Sequence, residues 1–234
     1  MSVRLVLIGI VDADLLGREN HRFPNLVCEK LSSYWKEHGA DVTLILDKEY
    51  SWLLYEGGTL TDTDAHYDRI YVAKVFTDTW VPEPLLQFVM TEGHGKIGNT
   101  EVYIGGTGFF FDKAPNLPDS IEHHMPDYHL YDEWIAGELE RAKKQAEIKN
   151  KPFKEASFIQ QFKEYTDYSI GFLTRGCFRK CDFCVNKKYD HVFTHSPLSD
   201  PSGWHSHDGS DSPGTHMVCL TDPIFLLSSC SAQQ

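Results

Sequence analysis

Three of the chain's six cysteines stand close together, at Cys177, Cys181 and Cys184, in the stretch TRGCFRKCDFCVNKKYD. Offsets of four and three residues bring the sulfurs to one side of the backbone, whether it turns or coils into a helix. Thiolates are soft donors suited to zinc or to iron–sulfur clusters. Five basic residues (Arg175, Arg179, Lys180, Lys187 and Lys188) accompany them, against one acid, Asp182. That local positive charge favours thiolate over thiol and offsets the negative charge of a thiolate-held cluster. Three sulfur donors also leave one iron of a cubane open to a further ligand.

The spacing C-x3-C-x2-C, the aromatic Phe183 just before the last cysteine and the strand-like YSIGFLT ahead of the motif together resemble the signature of the radical S-adenosylmethionine superfamily. The resemblance implies a [4Fe–4S] cluster on Cys177, Cys181 and Cys184. S-adenosylmethionine would be chelated to the fourth iron, and Phe183 would lie near its adenine. It further implies an electron donor, reductive cleavage of the sulfonium to a 5′-deoxyadenosyl radical, and hydrogen abstraction from a substrate that the residues do not name. A zinc site in a non-enzymatic α/β binding module is the alternative, with His191, His195 or Cys219 as fourth ligand. The strand placement, the aromatic residue and the basic flank favour the cluster.

Other residues capable of chemistry carry weaker signals. Cys28 falls on the apolar face of a helix and reads as core, and Cys219 and Cys230 take no role. The sheet domain ahead of the cysteines resembles the cobalamin-binding-like domain of many proteins in that superfamily, where Asp-x-His-x-x-Gly supplies the cobalt ligand. Here the nearest match, Asp64 to Arg69 around His66, ends in arginine, so cobalamin is not assigned. GGTGFFF at 105–111 suits either amides approaching a phosphate or a tight turn after a strand, and the turn is favoured. His123, His124 and His129, like HSH at 205–207, lack firm metal spacing and read as solvated.

The elements that must position these residues fall in an alternating pattern. Apolar strands are expected at 4–12, 41–47, 67–77 and 100–109. Helices are expected at 23–39, ended by Gly39, and at 82–93, with Pro82 and Pro84 suiting the first turn. This order predicts an α/β fold with a Rossmann-like or flavodoxin-like parallel sheet over 1–130, whose strand ends gather Asp12, Asp47 and 105–108 on one rim. Residues 111–130 read as irregular. Residues 131–166 read as a charged helical connector broken at Pro152, and 167–196 as the cluster segment. The tail, 197–234, is rich in Ser, Pro, Gly and His and reads as disordered.

The resembled family sets its cluster loop after the first strand of a partial (β/α) barrel. Such a barrel needs well over a hundred residues past the cysteines, by comparison with the ~250 of an eightfold barrel. The chain stops at residue 234, so a C-terminally truncated barrel with impaired turnover is expected, its strand at 168–174 lacking parallel neighbours. A formal charge of −12 argues against a surface built to grip nucleic acid. Neither a secretory signal nor a membrane-length apolar run is evident, and reduced cysteines fit a cytoplasmic setting.

Overall fold

The computed structural model describes residues 5–18, 21, 23–53, 55–56, 59–60, 67–111, 117–175, 181–182, 193–194 and 216–221. The first half alternates as the apolar runs dictate. β1 (Leu7–Asp12) passes directly into the short α1 (Ala13–Gly17), and α2 (Leu26–Glu37) leads to β2 (Asp41–Leu44). Asn25 caps α2 by accepting from the Val27 amide, and Gly39, at φ 74°, supplies the left-handed turn that stops it.

A 3-10 turn at Ser51–Leu53 and a two-residue hairpin, β3 (Tyr55–Glu56) and β4 (Thr59–Leu60), then precede β5 (Arg69–Ala73). The helix expected at 82–93 is shorter: α3 (Glu83–Leu86) tightens into a 3-10 turn, Gln87–Thr91. Pro82 stands at its N-cap rather than in its first turn, which holds Pro84. β6 (His94–Ile97), which the sequence pattern does not announce, makes a hairpin with β7 (Thr100–Gly105).

The five-stranded sheet runs β2-β1-β5-β7-β6, parallel except for the edge strand β6. The fold is therefore mixed α/β with a mostly parallel sheet, compatible with a Rossmann-like domain. Register is set by burial on both faces. Val11, Ile70, Val72, Val102 and Ile104 face a core shared with Trp52, Leu85 and Phe88. Ile8, Ile10 and Ala73 face the other, shared with Cys28, Leu31, Tyr131 and Phe162. One-residue slippage would exchange these faces, so the apolar alternation fixes the pairing.

The segment expected to be irregular includes α4 (Asp119–Glu122). Beyond it come α5 (Asp132–Ile148), α6 (Glu155–Ile159), a 3-10 turn at Gln160–Phe162 and α7 (Lys163–Thr166). Pro152 lies in the break between α5 and α6, where a missing amide costs no helical hydrogen bond.

β8 (Tyr168–Arg175) centres a second sheet of order β10-β8-β9, with β9 (Phe193–Thr194) antiparallel and β10 (His216–Thr221) parallel to it. The expectation that β8 lacks a parallel neighbour is thus corrected. The neighbour comes from HMVCLT, a stretch with consecutive apolar residues in a polar tail, whose pairing satisfies backbone groups on β8. Ile170, 1% exposed, anchors this strand, and the Tyr128 hydroxyl donates to its carbonyl at 3.2 Å. Among the described residues no helix is long and apolar enough to cross a membrane.

Candidate functional site

Two strand ends hold the residues singled out from the sequence. The first is the carboxyl rim of the five-stranded sheet. Counting parallel strands alone, the order is 2-1-3-4, so the chain reverses direction between β1 and β5, the place where open α/β sheets receive ligands. β1 delivers Asp12 and Asp14 to this point, and both side chains are buried.

Protein groups already engage both acids. Asp12 Oδ1 accepts from the amides of Asp14 and Leu15 at 3.2 Å, capping α1. Its Oδ2 accepts from the Tyr131 hydroxyl at 2.8 Å, and that hydroxyl in turn accepts from the Asn25 amide at 3.0 Å. Asp14 accepts from the Val75 amide at 2.6 Å, from the Phe76 amide at 3.4 Å and from the Thr79 hydroxyl. It therefore clamps the loop after β5 onto α1. Burial pushes the Asp12 carboxyl up to about 6, against the opposing pull of nearby His21 and of the hydrogen bonds from Tyr131 and Leu15.

Asp47, expected on the same rim, folds back on its own turn and accepts from the amides of Glu49 and Ser51. The glycine loop is likewise occupied by its neighbours. Gly106 has φ 97°, and a side chain there would collide with the Lys74 backbone. Gly108 donates to the Lys74 carbonyl at 2.9 Å, and a Cβ on it would lie 2.8 Å from the Phe76 carbonyl. These two glycines let β7 turn tightly against the loop after β5, which is the turn reading of GGTG.

A polar layer that sequence reasoning missed lies behind the rim. The helical period of α2 puts the apolar Leu26, Val27, Leu31, Tyr34 and Trp35 on one face. That helix also buries Glu29, Lys30, Ser32 and Ser33. Glu29 is 1% exposed, and its Oε2 has no hydrogen-bond partner among the described residues. Burial first, then the charges of Asp127 and Asp12, push its carboxyl well above the ordinary range. Asp127 behaves oppositely. Burial raises it, but hydrogen bonds from Lys36 (2.7 Å) and Ser32 (2.6 Å) prevail and hold it below the usual value. Helical period alone shows apolar positions, so polar groups with partners far along the chain leave no such signal.

The expected solvated histidines divide. His129 is exposed, 2.8 Å from Asp132. His124 is largely covered, 3.1 Å from Glu37 and edge-on to Tyr34, so the solvated reading is corrected there. Cys28 is fully buried, as a core thiol, and burial drives its pKa well up.

The second strand end is that of β8. Residue 175 ends the strand, and Cys181 follows as a half-buried free thiol. Cys177, Phe183 and Cys184 lie outside the described residues, as do His66, His191, His195 and His205–His207's HSH stretch. Thr174 pairs with Thr194 and Arg175 with Phe193, so both ends of the stretch carrying the cysteines meet at the carboxyl end of β8. Among the described residues no group of three or more His, Cys, Asp or Glu side chains is gathered for a metal. No protein-family model, curated protein or solved structure matches this chain.

Proposed function

We propose that the chain is a radical S-adenosylmethionine family protein in which Cys177, Cys181 and Cys184 hold a [4Fe–4S] cluster. When bound, that cluster supplies one electron to cleave S-adenosylmethionine into a 5′-deoxyadenosyl radical. The observation that carries the reading is the placement of the C-x3-C-x2-C motif: it begins directly past β8, and its segment returns to pair with the same strand end. Cys181, half-buried and without a disulfide partner, suits a ligand that must meet both protein and cofactor. Phe183 is assigned to the adenine by the motif alone.

In this reading the five-stranded sheet is a Rossmann-like or flavodoxin-like domain and β8 is the first strand of a (β/α) barrel. The N-terminal sheet then acts as a platform. Its rim acids are engaged with backbone groups, so ligation is left to the thiols. The basic residues Arg175, Arg179, Lys180, Lys187 and Lys188 balance the charge of a thiolate-held cluster.

Anaerobic reconstitution with iron and sulfide tests the proposal. About four iron and four sulfide per chain are expected, with brown absorbance, as for a [4Fe–4S] centre. Replacing Cys181 by Ala should abolish stable incorporation, because two thiolates hold a cubane poorly. Colourless protein that retains one zinc per chain, or unchanged iron in the Cys181→Ala variant, would reject it in favour of a zinc-stabilised module.

A further inference from the structure

A cleft of about 230 Å³ opens beside the rim, between the ends of β1 and β2 and the helices α5 and α6. Its floor is apolar, from Leu15 and Leu16 of α1. One wall is aromatic: Trp134 and Phe158 line it, each packed against Phe162, at ring separations of 5.4 and 5.3 Å. Arg18, His21, Lys48 and Arg141 also line it, against a single acid among the described residues, Glu138. Four basic groups around one small cleft stand out in a chain of net charge −12.

These four groups differ in how firmly other residues hold them. Lys48 is exposed and has no ion-pair partner among the described residues. Arg141 is held to Glu138 at 2.6 Å and to the Gly137 carbonyl at 3.3 Å, folded back along its own helix. A solvent-exposed pair of that kind contributes little to stability, so a ligand oxyanion can displace it. Arg18 is positioned 4.3 Å above the Phe76 ring while bonding Asp78, and the His21 ring meets the same Phe76 edge-on.

We propose that this cleft binds a small organic oxyanion, a carboxylate or phosphate monoester on a flat apolar body. The body would lie along Trp134 and Phe158 over the leucine floor, with its anionic group between Lys48 and Arg141. The net negative charge of the chain and the small volume disfavour a polyanion such as nucleic acid. The location agrees with the general placement of ligands at the carboxyl ends of strands in open α/β sheets. This inference is independent of the cysteines.

The test is titration calorimetry on the full chain, prepared without iron, with 1-naphthyl phosphate, 1-naphthoate and uncharged 1-naphthamide. At least one anion should bind saturably, one per chain, with Kd below about 1 mM, and the amide at least tenfold more weakly. The preferred anion identifies phosphate or carboxylate as the source. A Lys48→Ala, Arg141→Ala double variant should lose at least tenfold in affinity, and a Lys48→Arg variant should retain it. Both altered residues are exposed, and unchanged circular dichroism checks their fold. Equal affinity for the amide, no saturable binding of either anion, or unchanged affinity in the double variant would overturn the proposal.

Discussion

The two strand ends that attract attention in this chain handle reactive side chains in opposite ways. At β1 two carboxyl groups are buried and consumed: Asp12 caps α1 and meets Tyr131, and Asp14 takes two amides and a hydroxyl. At β8 the described thiol, Cys181, is half-buried and without a disulfide. A reactive group held by many backbone donors is architecture, whereas one left with unused donor capacity is available for chemistry. Residue type alone does not separate the two cases, since acids and thiols both head the usual catalogue of catalytic groups.

The sharpest way to break this contrast is to remove a clamp. Asp14→Ala should destabilise the protein by about 3 kcal/mol or more, because the buried Thr79 hydroxyl and the Val75 amide lose their acceptor together. Urea unfolding measures it, and a loss below about 1 kcal/mol would show that the rim acids are not structural.

A smaller effect concerns pH. The Asp12 carboxyl in the folded chain is raised to about 6, so between roughly pH 4 and 6 the unfolded chain releases its proton first. Stability from this group is present below pH 4 and lost as pH rises through 6, a loss of up to about 3 kcal/mol. Asp12→Asn keeps an amide-accepting cap and should flatten that part of the profile. Parallel pH–stability curves for the two proteins would contradict the assignment.

The smallest effect belongs to the other strand end. Cys181→Ala in metal-free protein should shift stability by less than about 0.5 kcal/mol, as for a substitution away from buried networks. A large loss would move Cys181 into the architectural class and weaken its role as a ligand.

Much of the sheet was legible because its strands are short apolar runs bounded by polar turns. The strands at 7–12, 41–44, 69–73 and 100–105 fall inside the runs that announce them, and Gly39 ends α2 where glycine must. β6 was not legible, since HGKI offers only one strongly apolar residue, Ile97, and gains its pairing from β7. The inward polar face of α2 was also hidden: Glu29, Lys30 and Ser32 are buried by partners or neighbours about a hundred residues away, around Glu122 and Asp127. At the candidate site, the turn role of GGTG was legible from its glycines, whereas the spacing of the thiols remains the basis of a proposal, since Cys177 and Cys184 lie outside the described residues. The sequence grouped Asp12 with Asp47, but only three-dimensional packing reveals that one caps a helix and the other its own loop.

Tyr131 stands at the N-cap of α5, yet its hydroxyl is shared by the end of β1 and the start of α2. Lifting that helix from the sheet would strip the Tyr131 hydroxyl from Asp12 Oδ2 and from the Asn25 amide in one movement. The connector consequently behaves as a rivet, not a hinge, and the sheet and the helices after residue 131 should open to solvent together, as one cooperative unit.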